Sequence, residues 1–552
     1  MNWIETHLLT IVTFLPLAGA VLIALLPRGE GAQHKGTAFI FSLLTFFASI
    51  PLWTSFRPVG KWAFEQKSEW APGMGFSYHV GLDGVALLLV MLTTFLGPIV
   101  VLSSWKAIQE RVKVYCIALL LLETAMLGTL ASLDLVLFYT FWEAMLIPMY
   151  LLIGIWGSER RIYAAVKFFL FTFVGSVLML LAIFWLWSNS GAAGHRTFDY
   201  VELLAQGTLN PDTQKWLFAA FALAFAIKVP IWPLHTWLPD AHTEAPAAGS
   251  IILAGVMLKM GTFGFIRYAM PLFPQAALAH APYIAALGVI GIVYGSFMCM
   301  AQTDMKRLIA YSSVAHLGFV MLGLSALTAE AVSGAVLQMV NHGISTGALF
   351  LMIGYLYERT HTRDLSQYGG VARVAPAIAA AFLVITLSSI GLPGTNGFVG
   401  EFLILIGTFI SRDLPNAAPL AIAAATGVIL GAVYMLWMYQ RVFFGKDGKA
   451  ASHGFEDLSV REWFTVAPLL VAIVWIGFAP QPLLSAVRDP VDAFVQRVVH
   501  PPQRARAEPV PPPSLMPAPA QDAVPALDPT QGPPRIFMPQ RAPMARPPGE
   551  GR

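Results

Sequence analysis

Charge is scarce in this sequence. Only 12% of its 552 residues are Asp, Glu, Lys or Arg, about half the share of an ordinary globular domain (roughly 25%). With 57% of residues hydrophobic, a water-soluble fold would leave too much apolar surface uncovered, so lipid must solvate most of the chain. The formal net charge of +3 and the lack of any basic run with interleaved aromatics exclude nucleic acid as a partner. A Gly-rich phosphate loop and a dinucleotide-binding fingerprint are also missing, so no nucleotide is expected on this chain. Cysteine is nearly absent. Cys116 and Cys299 lie in apolar runs, where they act as small hydrophobes. Neither their number nor their spacing supports a metal or iron–sulfur site, and electron transfer within the chain is not expected.

What is present is a succession of apolar segments. A spanning helix needs ~20 mostly apolar residues, and the sequence offers about fourteen such stretches: 4–26, 37–56, 81–104, 113–131, 134–156, 164–187, 214–238, 245–270, 281–301, 305–327, 330–357, 374–411, 417–443 and 463–486. The fold class is therefore all-α, a polytopic membrane protein. Ala18-Gly19-Ala20 has the look of a cleavage site, but Glu5 stands where a signal peptide carries positive charge and the apolar run continues to Leu26. The first stretch is read as a retained span. With the N-terminus outside, Arg28, Lys35, Lys106, Arg111, Lys113, Arg160, Arg161, Lys306, Arg307, Arg359, Arg363, Arg441, Lys446 and Lys449 fall in cytoplasmic loops. That bias favours both termini on the periplasmic side of a bacterial inner membrane.

Two spans carry breaks, one at Lys228-Val229-Pro230-Ile231-Trp232-Pro233 and one at Gly391-Leu392-Pro393-Gly394. These are the seventh and twelfth spans. Each is the fourth helix of a five-helix block, spans 4–8 and 9–13, which is the pattern of two inverted repeats with sites near the membrane midplane. The expected organisation is an N-terminal three-helix segment (1–112), a first repeat (113–270), a second repeat (281–443), a last span (463–486) and a Pro-rich disordered tail (501–552). Polar backbone freed by proline is tolerated at membrane depth only where it is buried or lines a hydrated cavity.

Ionisable residues inside spans are costly and mark function by default. Glu143 lies about nine residues into its span, roughly 13 Å deep. Lys228 directly precedes the first break and is paired with Glu143, the one acid at comparable depth expected to support its charge. Lys259 follows in the next span. His316 and His342 occupy successive spans of the second block, and Glu401 stands eight residues after Pro393. Snorkelling is the plain alternative for Lys259, packing for each histidine and a structural salt bridge for Glu143. Taken together, the six suit a proton relay with Glu401 as acceptor and exit gate. His235, Asp240, His242 and Glu244 fall near span ends and read as interfacial residues; a metal site is the minor alternative.

Three segments carry a family resemblance: IKVPIWPLHTWLPDAHTEAPAAGSIILAGVMLKMGTFG at Ile227–Gly264, DMKRLIAYSSVAHLG at Asp304–Gly318 and GLDGVALLLV at Gly81–Val90. They resemble the antiporter-like membrane subunits of respiratory complex I, the NADH:quinone oxidoreductase. GLPGTNGFVGEF at Gly391–Phe402 resembles the M branch, which carries Glu where the L and N branches and Mrp-type antiporter subunits usually carry Lys. The resemblance covers roughly residues 75–450 and leaves the tail without support. It implies proton translocation here, coupled to chemistry elsewhere. NADH, FMN, iron–sulfur clusters and quinone would be bound by other subunits, with the L and N subunits as membrane neighbours. The family's functional positions fall on Glu143, Lys228, Lys259, His316 and Glu401, with His342 matching more loosely. A multisubunit Na+/H+ antiporter subunit and a membrane-bound hydrogenase subunit are the rival readings.

Overall fold

In the computed structural model, residues 3–502 are described apart from 28, 30, 58–61, 192–195, 447 and 449–454. Nearly all of the tail expected from 501 lies outside the described residues. Two apolar helices open the chain, α1 (Trp3–Leu25) and α2 (Gly31–Thr54). An antiparallel hairpin of β1 (Ala63–Ala71) and β2 (Phe76–Leu82) follows, with Gln66 opposite Val80 and Ser68 opposite Tyr78. After α3 (Gly84–Ser103) and α4 (Val112–Ala131), the next span is divided at Met145 into α5 (Leu135–Ala144) and α6 (Leu146–Trp156). Then come α7 (Arg161–Ser188) and a short α8 (Tyr200–Ala205).

The two breaks expected from Pro and Gly are helix ends. The first separates α9 (Pro211–Lys228) from α10 (Trp237–Glu244). Proline cannot extend the backbone ladder, and the freed carbonyls find other donors: Trp237 Nε1 donates to Ile227 O at 2.9 Å and Ile231 N to Ala226 O at 2.9 Å. The span after it comprises α11 (Ala247–Ile252), α12 (Leu258–Gly264) and α13 (Met270–Leu272), joined by π-helical turns at Leu253–Met257 and Phe265–Ala269. Three long helices follow, α14 (Pro274–Met300), α15 (Met305–Ala326) and α16 (Ala329–Thr360), and then a single turn, α17 (Val371–Val374). The second break separates α18 (Pro376–Ser389) from α19 (Asn396–Phe409). Gly391 (φ +72°) and Gly394 (φ +89°) take left-handed conformations there that L side chains rarely adopt. The last helices are α20 (Ala417–Phe443), α21 (Val460–Phe478) and α22 (Gln481–Val499).

Among the described residues, twelve helical segments are long and apolar enough to cross a membrane. The two remaining stretches of the fourteen expected are those cut by the breaks, so neither presents one continuous long helix. The apolar stretches of Ala247–Leu272, Met305–Ala326 and Ala329–Thr360 are buried throughout, while only about a third of those of Gly31–Thr54 and Val460–Phe478 is buried. The protein thus has an inner set of helices wrapped by an outer one.

Two elements differ from the sequence expectation. The hairpin is one. The other is the region around 479–486, where the last span stops at Phe478 and a separate amphipathic helix begins. Leu483, Val487, Val491, Phe494 and Val498 line the buried face of α22 at steps of three and four. Arg497 anchors its end, donating to Pro271 O (2.8 Å) and Leu204 O (2.9 Å).

The hairpin is tied to the 199–205 turn by charge. His79 Nδ1 lies 2.7 Å from Asp199 Oδ2 and its Nε2 lies 2.8 Å from Glu65 Oε1, while Lys67 reaches Asp199 at 2.8 Å. Burial works to lower the His79 pKa, but Asp199 and Glu65 outweigh it and raise the value. Burial works to raise the Asp199 pKa, and hydrogen bonds from His79 and Lys67 outweigh it, bringing the carboxyl down to about 2. The Asp199 contribution is present above the ordinary carboxylate range and persists at neutral pH. The His79 contribution is complete below ~6.5 and is lost as pH rises through the raised value. Amide protection of β2, corrected for intrinsic exchange, should therefore weaken as pH rises above the ordinary imidazole range of ~6.5, by the worth of a charge-assisted hydrogen bond, about 1.5–3 kcal/mol. His79→Gln should remove that pH dependence; hydrogen-exchange mass spectrometry reads both.

Candidate functional site

Glu143 sits at the end of α5, just before the discontinuity at Met145, and is partly exposed. Ser176 of α7 and Tyr139 are its polar neighbours. Lys228, the last residue of α9, is 1% exposed, and its ammonium has no hydrogen-bond partner. It lies instead over the faces of Trp142 (5.3 Å to the centroid) and Phe168 (5.6 Å). Aromatic faces attract a desolvated cation. Trp142 precedes Glu143 in sequence, and Glu143 is near enough to attract Lys228 electrostatically without a hydrogen bond between them. The expected pair thus interacts through its charges alone, with the Trp142 indole beside the ammonium.

The other four residues form a connected row. Lys259 is fully buried on α12, immediately after the first π-helical turn. In that turn Leu258 N–H donates to Leu253 O, and the Ala254 carbonyl accepts from Lys259 Nζ. A π turn thereby supplies an acceptor at mid-span that a regular α ladder would have occupied. Lys259 Nζ also lies 2.6 Å from His342 Nδ1 of α16. The His342 ring stands edge-on to that of His316 on α15, 5.7 Å between centroids. His316 Nδ1 is 2.9 Å from Glu401 Oε1, and Gln338 Nε2 donates to the same oxygen at 3.1 Å. A cavity of about 10 Å³ touches His316, His342, Gln338, Asn341, Ser345 and Ser389, close to the least volume that admits a water.

Helix packing holds the row in place. A side-chain carbon at Gly261 would come within 2.7 Å of Phe225 O, so α12 lies directly against the end of α9. At the second break, Asn341 Nδ2 donates to Asn396 O (2.7 Å), and Ser345 and Ser388 hydroxyls meet at 2.6 Å. Glu401 is one helical turn into α19, and a side chain at Gly391 would stand 3.0 Å from its Oε2. The break thus brings a carboxylate, an imidazole and a set of amide and hydroxyl groups to one place.

The sequence placed Lys228 in line with Lys259. No hydrogen bond joins them among the described residues; Lys228 belongs with Trp142 and Glu143, Lys259 with His342. The polar companions Gln338, Asn341, Asn396 and Ser388 were not singled out from the sequence. Uncharged polar residues are common in spans, and the only available signal was the phase of Gln338 and Asn341 with His342 on α16 and the closeness of Ser388 and Asn396 to the second break. His235 and His242, read as interfacial, are both buried: His235 packs on Tyr294 and His242 stacks on Phe350 at 4.5 Å. Asp240 pairs with Lys167 at 2.7 Å and Glu244 accepts from Arg160 N at 2.9 Å, so the four side chains go to separate partners.

Buried ionisable side chains on broken helices, enclosed by apolar spans, define the antiporter-like class of proton-translocating membrane subunits. The family model described as NADH:quinone oxidoreductase/Mrp antiporter, transmembrane, matches residues 132–429. The NADH-quinone oxidoreductase subunit M of Rhodobacter capsulatus is 45% identical over 502 residues, 89% of this chain and 96% of that protein. This chain belongs to the subunit M family and is a membrane subunit of the proton-translocating NADH:quinone oxidoreductase, complex I. Respiratory complex I from Thermus thermophilus with bound NADH contains a chain that is 33% identical with a TM-score of 0.79, matched over 89% of this chain and 99% of that one. The Mrp complex from Dietzia sp. DQ12-45-1b contains a chain that shares the fold alone, at 20% identity and a TM-score of 0.74 over 91% of this chain and 53% of that one.

Proposed function

We propose that protons cross this subunit along Lys259, His342, His316 and Glu401, and that the Glu143–Lys228 pair controls when they do. The observation that carries this reading is the run of contacts from Lys259 Nζ to Glu401 Oε1, two of them within 3 Å and one between adjoining imidazoles. Each member both accepts and donates a proton, as a relay requires.

In this reading α9 and α10 count as one broken span, as do α18 and α19, giving fourteen spans with both termini on the periplasmic side of a bacterial inner membrane. The two breaks occupy corresponding places in two inverted five-helix repeats. NADH oxidation and quinone reduction take place on other subunits, and the L and N subunits are the membrane neighbours. A charge change on a neighbour draws Glu143 away from Lys228. Lys228 then holds its proton less firmly, and that change passes to Lys259.

Glu401→Gln tests the exit. Glutamine preserves the hydrogen bonds to His316 and Gln338 but cannot carry the proton onward. NADH-driven proton uptake by inverted membrane vesicles should fall about five- to tenfold, roughly 1–1.4 kcal/mol in barrier, with the complex still assembled. Undiminished pumping in this variant would reject the relay. Sodium-dependent transport would favour the Mrp-like reading instead.

A further inference from the structure

One ionisable side chain in the interior has no place in the row. Glu123, in the middle of α4, is 4% exposed, and its Oε1 has no hydrogen-bond partner. A buried carboxyl without a partner has no packing advantage over leucine or glutamine, because its desolvation is uncompensated. The neighbouring helix makes room for it. At Gly97 of α3, an added side-chain carbon would lie 2.7 Å from Glu123 Oε1 and 3.2 Å from Oε2. Beside the carboxyl is a cavity of about 20 Å³, bordered by Thr93 and Gly97 on one side and by Ile252 and Val256 on the other. That volume admits one water.

The far wall of the cavity gives this placement its meaning. Val256 is part of the π-helical turn Leu253–Met257, whose Ala254 carbonyl holds Lys259. On the α3 side, Leu96 presses against Gly255 of the same turn. Glu123 therefore faces, across a water-sized space, the element that positions Lys259. We propose that Glu123 is a further protonatable station of this subunit: a carboxyl that takes up and releases a proton through a water in this cavity, on the α3–α4 side of the Lys259 turn. Its ligand is the proton itself, carried by water. No bond other than O–H and N–H is made or broken. A proton arriving from water makes the neutral acid, and a proton leaving to water regenerates the carboxylate. This inference rests on the relay proposed above and adds a member on a helix which that relay does not use.

The test is made in the assembled complex with Glu123→Gln, Glu123→Asp and Gly97→Ala, beside Lys259→Arg as the reference for the relay. Glu123→Gln should lower NADH-driven proton pumping at least threefold, with Glu123→Asp recovering part of it. Infrared difference spectra recorded on NADH addition should show a protonated-carboxyl stretch that shifts in D2O and disappears in Glu123→Gln. Gly97→Ala, which crowds the carboxyl without removing it, should shift that band and slow pumping. If Lys259→Arg loses pumping while Glu123→Gln pumps normally and the infrared difference spectrum is unchanged, Glu123 is only a structural group and the inference is overturned. If Lys259→Arg itself pumps normally, the relay fails first. Should Glu123→Gln not assemble, the Gly97→Ala band decides: an unshifted spectrum overturns the proposal.

Discussion

Lys259→Arg should abolish NADH-driven proton pumping almost as completely as Lys259→Met, a drop of more than about fiftyfold, or ~2.3 kcal/mol. The arginine arm separates a relay from an ion pair. Arginine keeps the positive charge, so a residue needed only for its field would survive the exchange in large part. A guanidinium does not release its proton in a protein, so a residue that must pass one on would not survive it. Lys259 has the geometry of the second kind. Its Nζ is shared between the Ala254 carbonyl and His342 Nδ1, and no carboxylate stands beside it among the described residues. A lysine that hands its proton to an imidazole needs an acceptor on one side and a fixed carbonyl on the other. Pumping by quinacrine-type fluorescence quenching, alongside NADH oxidation with an artificial acceptor, gives the measurement. The artificial-acceptor rate should stay constant because that chemistry lies in other subunits.

Glu143→Gln should cut pumping by more than about tenfold, ~1.4 kcal/mol, while leaving Lys228 in place. The argument is electrostatic. At an effective dielectric of ~20, charges 4 Å apart attract by about 4 kcal/mol, and at twice that separation by about 2 kcal/mol. The two groups make no hydrogen bond, so the attraction falls below the larger figure, and about 2 kcal/mol serves as its order of magnitude. Support of about 2 kcal/mol suffices to decide whether a desolvated ammonium keeps its proton, and it is lost when the carboxylate becomes an amide. Cation–π contact with Trp142 and Phe168 retains part of the support. Trp142→Leu should therefore worsen Glu143→Gln by more than the sum of the two single effects, a coupling that a double-mutant cycle reads directly. Wild-type pumping in Glu143→Gln would remove the switch.

Much of this architecture was legible because lipid forces simple rules. Pro230 with Pro233, and Gly391 with Pro393 and Gly394, announced the two breaks, since no regular helix absorbs them. Glu143, Lys228, Lys259 and Glu401 stood out as charges in apolar surroundings. What could not be read was rotation about the helix axis. Position along a span gives depth but not facing, so Lys228 and Lys259 were placed in line although they meet different partners. The same uncertainty hid the contact of Lys259 with His342, which had been the weaker of the two histidine readings. Glu123 carries the same signal as Glu143, an acid inside an apolar run. The π turns left no trace at all: Leu253–Met257 is as good an α sequence as its neighbours. Helix α22 was lost for the opposite reason. Its apolar residues lie on one face, so a hydropathy window averages them with Arg488, Asp489 and Asp492 and sees nothing. The hairpin was overlooked because its nine-residue first strand is polar and too short to compete with the spans on either side.

The helices that bear Lys259, His316 and His342 are buried along their apolar stretches by other helices of the same chain. The protein is therefore its own electrical insulation. A charge moving across a membrane gains or loses about 2.3 kcal/mol for each 100 mV, and a sheathed conductor delivers that work along its length rather than bleeding it sideways into the bilayer. Of the six relay residues, Glu143 alone is partly exposed, like the bared end of a wire. A neighbouring subunit can touch the circuit there without stripping the rest.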